Sequence, residues 1–285
     1  MNISKVAVIG AGLMGSGIAL VAAMSGFEVA LRDVDQSVLD KAMAMAKKAL
    51  DRAAEKGKLS TEQAEAALGR LTPCTDLKEA LAGAQYVIEA VPERLELKKQ
   101  VFAELDRLAE PEAILATNTS ELSIASIAAA TSTPERVIGT HWFFPPQIMK
   151  LIEVVKGGQT SPATLETTLR FCTDLGKETV VCADAQGFIT SRAISVLIAE
   201  CLRIHQEGIA SIEDIDKAMR LGFNHPIGPF QLVDMSGVDV VFHALEGLSQ
   251  EYGERFNPTQ EMAKLVEGKN LGRKTGKGFY DYGGK

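Results

Sequence analysis

Short apolar, β-branched runs alternate with amphipathic stretches through the first two thirds of the chain. Runs at 5–9, 28–32, 86–89, 114–117, 136–140, 150–155 and 178–182 read as strands, with helical patterns filling most of the gaps. Strands that alternate with helices predict a parallel sheet wound on both faces, in which strands are buried continuously rather than on every second residue. Between the second strand and Leu71 lies a stretch rich in Ala, Lys and Glu, about 36–69. It predicts a helical hairpin, with one helix to about Glu55, a break at Gly57, and a second start capped by Ser60 with Gln63 three residues on. Such a hairpin is longer than a crossover needs.

After Asp184 the strand signals fade. A largely apolar helical pattern runs over 188–206 and is stopped by Gly208. Ser211 with Asp214 predicts the start of another helix, and Asn257-Pro258 puts proline at the first position of a third. The expected architecture is therefore α/β: a Rossmann-like doubly wound domain, 1–185, with an inserted helical hairpin, followed by an all-α substrate and dimerisation domain, 186–285. A long apolar helix in a small domain needs a second surface to cover it, which predicts a homodimer.

Charge and cysteine usage narrow the function classes. A formal charge of -7 leaves no basic footprint for nucleic acid or an anionic membrane. Cys74, Cys172, Cys182 and Cys201 form no CxxC pair and have no metal-ligand spacing with histidine, so reduced thiols and no metal are expected. The apolar stretch over 17–30 is broken by Gly26 and Glu28 and is too short to span a bilayer. With an apolar strand reached almost at once, no signal peptide is read and a cytoplasmic protein is expected.

The chemistry begins at Gly10-Ala-Gly12-Leu-Met-Gly15, which follows the first strand and opens a helix. Gly10 permits the tight turn, Gly12 lets the backbone approach a pyrophosphate, and Gly15 lets the helix pack close to the strand. The N–H groups at the helix start, through Leu13 and Met14, then face the phosphates. Asp33 ends the second strand, where a carboxylate accepts hydrogen bonds from the ribose hydroxyls and repels a 2′-phosphate, so NAD is expected over NADP. Arg32 beside it pulls the other way. FAD is disfavoured, because the chain is small and has no second nucleotide segment.

Open α/β sheets put ligands at the carboxyl ends of their strands. Ser120, His141 and Glu153 are the polar residues expected there, with Glu153 out of place in an apolar strand. Moving a hydride from an alcohol needs a base for the hydroxyl proton, and an imidazole suits both directions. A carboxylate beside it orients the ring and stabilises its cation, while a serine hydroxyl holds the substrate oxygen.

These residues sit in longer runs: Asn118-Thr-Ser120; Gly139-Thr-His141-Trp-Phe-Phe-Pro145-Pro; Met149-Lys-Leu-Ile-Glu153; Asp184-Ala-Gln-Gly187-Phe-Ile; Asn224-His-Pro-Ile-Gly228-Pro; and Gly272-Arg-Lys-Thr-Gly-Lys-Gly278. Together, in order and over essentially the whole chain, they resemble the L-3-hydroxyacyl-CoA dehydrogenases, the bacterial 3-hydroxybutyryl-CoA dehydrogenases above all. The resemblance implies a His141 and Glu153 acid/base pair, an active-site Ser120, cofactor-binding Glu93 and Lys98, and a CoA-contacting Lys56 on the hairpin. Lys274 and Lys277 both fit the family's cofactor-side lysine, with Lys274 as the candidate. Two positions depart from the pattern: Ser191 and Phe144 stand where the family usually has asparagine. Ser191 keeps a hydrogen-bonding group over a shorter reach, and Phe144 does not. The expected activity is NAD-dependent oxidation of an (S)-3-hydroxyacyl-CoA and its reverse. A dehydrogenase of free hydroxy acids, or a catalytically retired crystallin-like NAD-binding protein, is the alternative.

Overall fold

The computed structural model describes residues 2–283; Met1 and the last two positions of the expected 186–285 domain lie outside them. In chain order the first part comprises β1 (Lys5–Ile9), α1 (Leu13–Met24), β2 (Glu28–Arg32), α2 (Gln36–Glu55), α3 (Thr61–Gly69) and β3 (Leu71–Cys74). It continues with α4 (Leu77–Leu81), β4 (Tyr86–Glu89), α5 (Leu95–Leu108), β5 (Ile114–Thr117) and α6 (Ile124–Ala128). Then come β6 (Val137–Trp142), β7 (Leu151–Lys156), α7 (Pro162–Asp174) and β8 (Glu178–Ala183). The remainder is helical: α8 (Thr190–Gln206), α9 (Ile212–Gly222), α10 (Pro229–Ser236), α11 (Val238–Tyr252) and α12 (Gln260–Glu267). The chain divides into two compact units, Met1–Phe188 and Ile189–Lys285.

The first unit is built on one sheet of order β3-β2-β1-β4-β5-β6-β7-β8. All neighbouring strands run parallel except β6 and β7, which are antiparallel. Both faces are covered, which is why β1 reads as an unbroken apolar run. Val6 and Val8 enter the core formed with α1, α2, α3 and α7, whereas Ala7 and Ile9 enter the core on the α4, α5 and α6 side. Each fully buried Val or Ile side chain contributes about 1.5–3 kcal/mol, so the central strands anchor whatever chemistry sits at their ends.

The helical hairpin forms as expected. Ser60 accepts from the Gln63 N–H while the Gln63 side chain accepts from the Ser60 N–H, a reciprocal cap that starts α3. Ser211 likewise caps α9 through the Asp214 N–H. The second unit closes on its own core, centred on Ile198, Leu202, Phe230, Leu245 and Phe256. All four cysteines are free thiols. Among the described residues no helix is long and apolar enough to cross a membrane.

Three expectations are corrected. β3 is a strand that the sequence reading left out; it pairs with β2 at the sheet edge, where Pro73 opposite Leu31 needs no second ladder partner. Pro258 does not start α12, because the Thr259 hydroxyl takes the N-cap, accepting from the Met262 N–H, and leaves proline outside the helix. The helix expected from 188 begins at Thr190, since Phe188 has φ 47°, a left-handed conformation that no helix contains, and packs into the core of the first unit.

Candidate active site

The glycine turn connects β1 to α1. Gly10 has φ +102°, and a Cβ there would lie 2.7 Å from the Ala90 carbonyl oxygen; a Cβ on Gly15 would collide with the Gly10 carbonyl. Nothing lies within 4 Å of a Cβ built on Gly12, and no side chain caps α1 at that residue. The first N–H groups of the helix, on Leu13, Met14 and Gly15, are therefore left for an external anion, with the positive end of the helix dipole behind them. Asp33, half-buried at the end of β2, is held toward the turn by the Ala11 N–H at 2.8 Å on Oδ2, and Oδ1 accepts from the Asp35 N–H at 3.2 Å. A bare helix start, an open glycine and a carboxylate one strand away fit a dinucleotide with free ribose hydroxyls.

Four strands along, β6 and β7 pair with His141 directly opposite Glu153. Opposed residues in an antiparallel pair share one face of the sheet, and here His141 Nδ1 lies 2.6 Å from Glu153 Oε2. Both are buried, the glutamate side chain completely. Phe143 and Phe188 pack beside the imidazole, at ring-centre distances of 4.5 and 5.9 Å. With Nδ1 engaged by the carboxylate, Nε2 is the nitrogen available for proton transfer. Glu153 was expected at the carboxyl end of its strand; it is instead the third residue of β7. The strand reversal brings that beginning to the same edge of the sheet.

Ser120 follows β5, exposed, and its loop is tied to the neighbouring strand by the Trp142 N–H, which donates to Asn118 Oδ1 at 3.1 Å. Thr117 is opposite Gly139 in the β5/β6 ladder, so the chain reaches Ser120 at about the level of His141. The Ser120 N–H donates to Glu93 Oε1 at 2.9 Å, and the Thr119 hydroxyl donates to the same oxygen. Glu93 Oε2 in turn meets Lys98 Nζ at 3.3 Å.

Lys98 departs from the direct cofactor contact the resemblance implied. Its side chain is completely buried, with Nζ donating to Glu89 Oε1 at 2.7 Å and to the Val91 carbonyl at 3.3 Å. It stands behind Glu93 rather than in the open. Glu89, the last residue of β4, was missed altogether. It is fully buried and also accepts from the Thr117 hydroxyl at 2.6 Å and the Val91 N–H at 2.7 Å. Burial pushes its carboxyl up, opposed by Lys98 and these two donors. The signal that flagged Glu153, a carboxylate within an apolar strand, is present at Glu89 too.

The other expected residues lie further off. Lys56 is exposed at the C-terminal end of α2. An apolar groove of about 210 Å³ runs between the glycine turn, α2 and the loop after β6, lined by Leu13, Leu20, Met45, Ala49, Phe144 and Pro145. Phe144 is 62% exposed there. In the second unit, Ser191 lies half-buried in the first turn of α8, and Lys274 Nζ pairs with Asp239 Oδ1 at 2.5 Å. Lys277 is exposed, and its backbone carbonyl accepts from the Gly272 N–H.

Comparison with known proteins covers both parts of the chain. The model of the 3-hydroxyacyl-CoA dehydrogenase NAD-binding domain matches residues 5–185, and that of the same family's C-terminal domain matches residues 187–282. The chain belongs to the 3-hydroxyacyl-CoA dehydrogenase family. It is an NAD-dependent dehydrogenase with a Rossmann-like sheet and a helical C-terminal domain. It is similar to the mitochondrial hydroxyacyl-coenzyme A dehydrogenase of Rattus norvegicus, 42% identical over 98% of this chain and 91% of the relative. A 3-hydroxybutyryl-CoA dehydrogenase of Clostridioides difficile is 40% identical over 98% of this chain and 99% of its own length. The crystal structure of (S)-3-hydroxybutyryl-CoA dehydrogenase from Ralstonia eutropha superposes with a TM-score of 0.96 at 37% identity, covering 99% of this chain and 100% of that one.

Proposed function

We propose that this dehydrogenase oxidises the 3-hydroxyl of a short (S)-3-hydroxyacyl-CoA, 3-hydroxybutyryl-CoA above all, and runs the reverse reaction with NADH. The observation that carries the reading is the buried His141 and Glu153 pair at 2.6 Å, on the sheet edge that also presents the glycine turn and the Ser120 loop. The names of the relatives support the thioester substrate. When bound, NAD supplies the hydride acceptor; the chain supplies binding, orientation and proton transfer. Leu13, Met14 and Gly15 offer N–H groups to its phosphates, and Asp33 takes the ribose hydroxyls. Glu93, backed by Lys98, would contact the cofactor from the loop after β4. Ser120 hydrogen-bonds the substrate. His141 takes the hydroxyl proton on Nε2 in oxidation and returns it in reduction, while Glu153 holds Nδ1–H and stabilises the imidazolium. Lys56 meets the charged end of CoA, beyond the groove beside α2.

The reading includes a homodimer formed through the helical unit, in the cytoplasm, with neither nucleic acid nor membrane as partner. Ile189, 45% exposed, and Val196, 38% exposed, on or beside α8 support the dimer. The test of substrate is NADH oxidation with acetoacetyl-CoA against acetoacetate. A much higher kcat/KM for the thioester is expected. Equal efficiency on the free acid would move the enzyme to the free hydroxy acids, and no turnover of either would overturn the catalytic reading.

A further inference from the structure

Between the carboxyl ends of β4 and β5 the fold buries two opposite charges that take no part in proton transfer. Glu89 and Lys98 are each wholly inaccessible, and desolvating such a pair is unfavourable unless every remaining polar atom finds a partner. Here the partners are present. Glu89 Oε1 accepts from Lys98 Nζ and the Val91 N–H, and Oε2 accepts from the Thr117 hydroxyl. Lys98 Nζ then points its charge at Glu93 Oε2, 3.3 Å away. Glu93, with 32% of its side chain exposed, is the outermost member. Its Oε1 holds the Ser120 N–H and the Thr119 hydroxyl, and Thr119 Oγ1 also accepts the Leu122 N–H at 2.8 Å. A chain of charge-assisted hydrogen bonds, with the Lys98–Glu93 ion pair as its middle link, thus runs from the sheet interior to the backbone of Ser120. An apolar pair would fill the same space and leave Glu93 free to swing into solvent.

We propose that Glu89 is a positioning residue: through Lys98 it fixes the Glu93 carboxylate, and through Glu93 it sets the backbone of Ser120 at the height of His141. The proposal rests on the reading of Ser120 as the residue that holds the substrate oxygen. Thr117 and the Val91 N–H fix Glu89 from the neighbouring strand and the following turn, so the registration of β4 against β5 passes directly into the loop.

The experiment compares wild type, Glu89→Gln and the double variant Glu89→Gln with Lys98→Met, which removes both buried charges while keeping their volume. Three readings are taken: thermal midpoint, the Ser120 amide resonance in a 15N-labelled sample, and steady-state kinetics with NADH and acetoacetyl-CoA. In the wild type the Ser120 amide should resonate downfield, as a donor to a carboxylate. Glu89→Gln should lower the midpoint, move that resonance upfield, and reduce kcat about 10- to 100-fold, the scale on which small misplacements at a site act, with KM for the thioester within about threefold. The double variant should recover much of the midpoint and recover neither the resonance nor kcat. A double variant with wild-type kcat and a wild-type Ser120 resonance would overturn the proposal and leave the pair a packing feature. A kcat loss that rises and falls with the midpoint would do the same. Should the wild type turn over no acyl-CoA, the functional reading fails, while the amide resonance still decides whether Glu89 sets Ser120.

Discussion

Replacing Glu153 by glutamine tests the pair at its most sensitive point. The side chain is completely buried and its Oε2 lies 2.6 Å from His141 Nδ1, so the amide keeps the shape and a contact but loses the charge. In the proposed mechanism the imidazole accepts the substrate proton during oxidation and becomes a cation facing that carboxylate. A hydrogen bond to a charged group is worth about 1.5–3 kcal/mol, and at about 1.4 kcal/mol per tenfold its loss in the transition state lowers kcat about 10- to 150-fold. His141→Ala removes the base itself, with an expected loss of about 10²–10⁴-fold. Because Glu153 acts only through His141, the double variant should be little worse than His141→Ala alone. The assay is oxidation of (S)-3-hydroxybutyryl-CoA by NAD, with kcat recorded from pH 6 to 9 (about one unit per step) and the fold checked by circular dichroism. NADH binding, followed by fluorescence, should survive in all three variants. A Glu153→Gln enzyme with kcat near wild type across that range, or full additivity in the double variant, would refute the coupling.

Asp33→Ala should weaken NADH binding and narrow the preference over NADPH, seen as converging kcat/KM values for the two cofactors; an unchanged preference would separate Asp33 from the ribose. Asp106 gives a pH-dependent contribution to stability. Burial raises its carboxyl, but donation from Thr133, Ser132 and Arg136 outweighs this and holds it well below the usual carboxylate range. A depressed folded-state value stabilises above the unfolded carboxyl value, about 3.9, and that stabilisation is lost as pH falls through the folded value. Asp106→Asn should therefore cost about 1–3 kcal/mol at pH 7 in urea unfolding, with the gap to wild type narrowing steadily as pH falls below the unfolded carboxyl value. Sedimentation at micromolar concentration should give a dimer, and replacing Val196 by aspartate should shift it toward monomer.

What the sequence disclosed and what it hid follow from one distinction, local against non-local. The glycine turn, the capping box of α3 and the cap of α9 were legible because residues within a few positions of one another decide them. β3 was not, because Pro73 argues against a strand unless the strand lies at an edge, and only the assembled sheet makes it one. Lys98 was matched to a role by its place in a motif, but its burial depends on Glu89, nine residues away, and on Thr117 in the next strand. Ser120 and Glu93 were each found singly. The contact between them spans 27 residues and belongs to the sheet.

The pairing of His141 with Glu153 was read from the family motif, and the sheet supplies its physical reason. In a parallel sheet the carboxyl edge collects the ends of strands, so a residue near the start of a strand belongs at the opposite edge. β7, with β8 parallel beside it, is the exception: it runs back along β6, and its first residues lie at the edge where β1 to β6 finish. A carboxylate placed early in that strand therefore reaches the same edge as a histidine placed late in β6. The pairing register is then set by apolar residues with no part in the chemistry. Ile152 and Val154 face one core and Val155 the other, so a slip of one residue would exchange the two sets between cores fitted to other side chains and carry Glu153 to the face away from His141. Misfit side chains in a packed core cost about 1–3 kcal/mol, so packing on both faces adds to the hydrogen bond between the two polar residues in selecting the register. The geometry of the pair is held by the core on either side of it, which is why His141 and Glu153 can be buried and still meet in register.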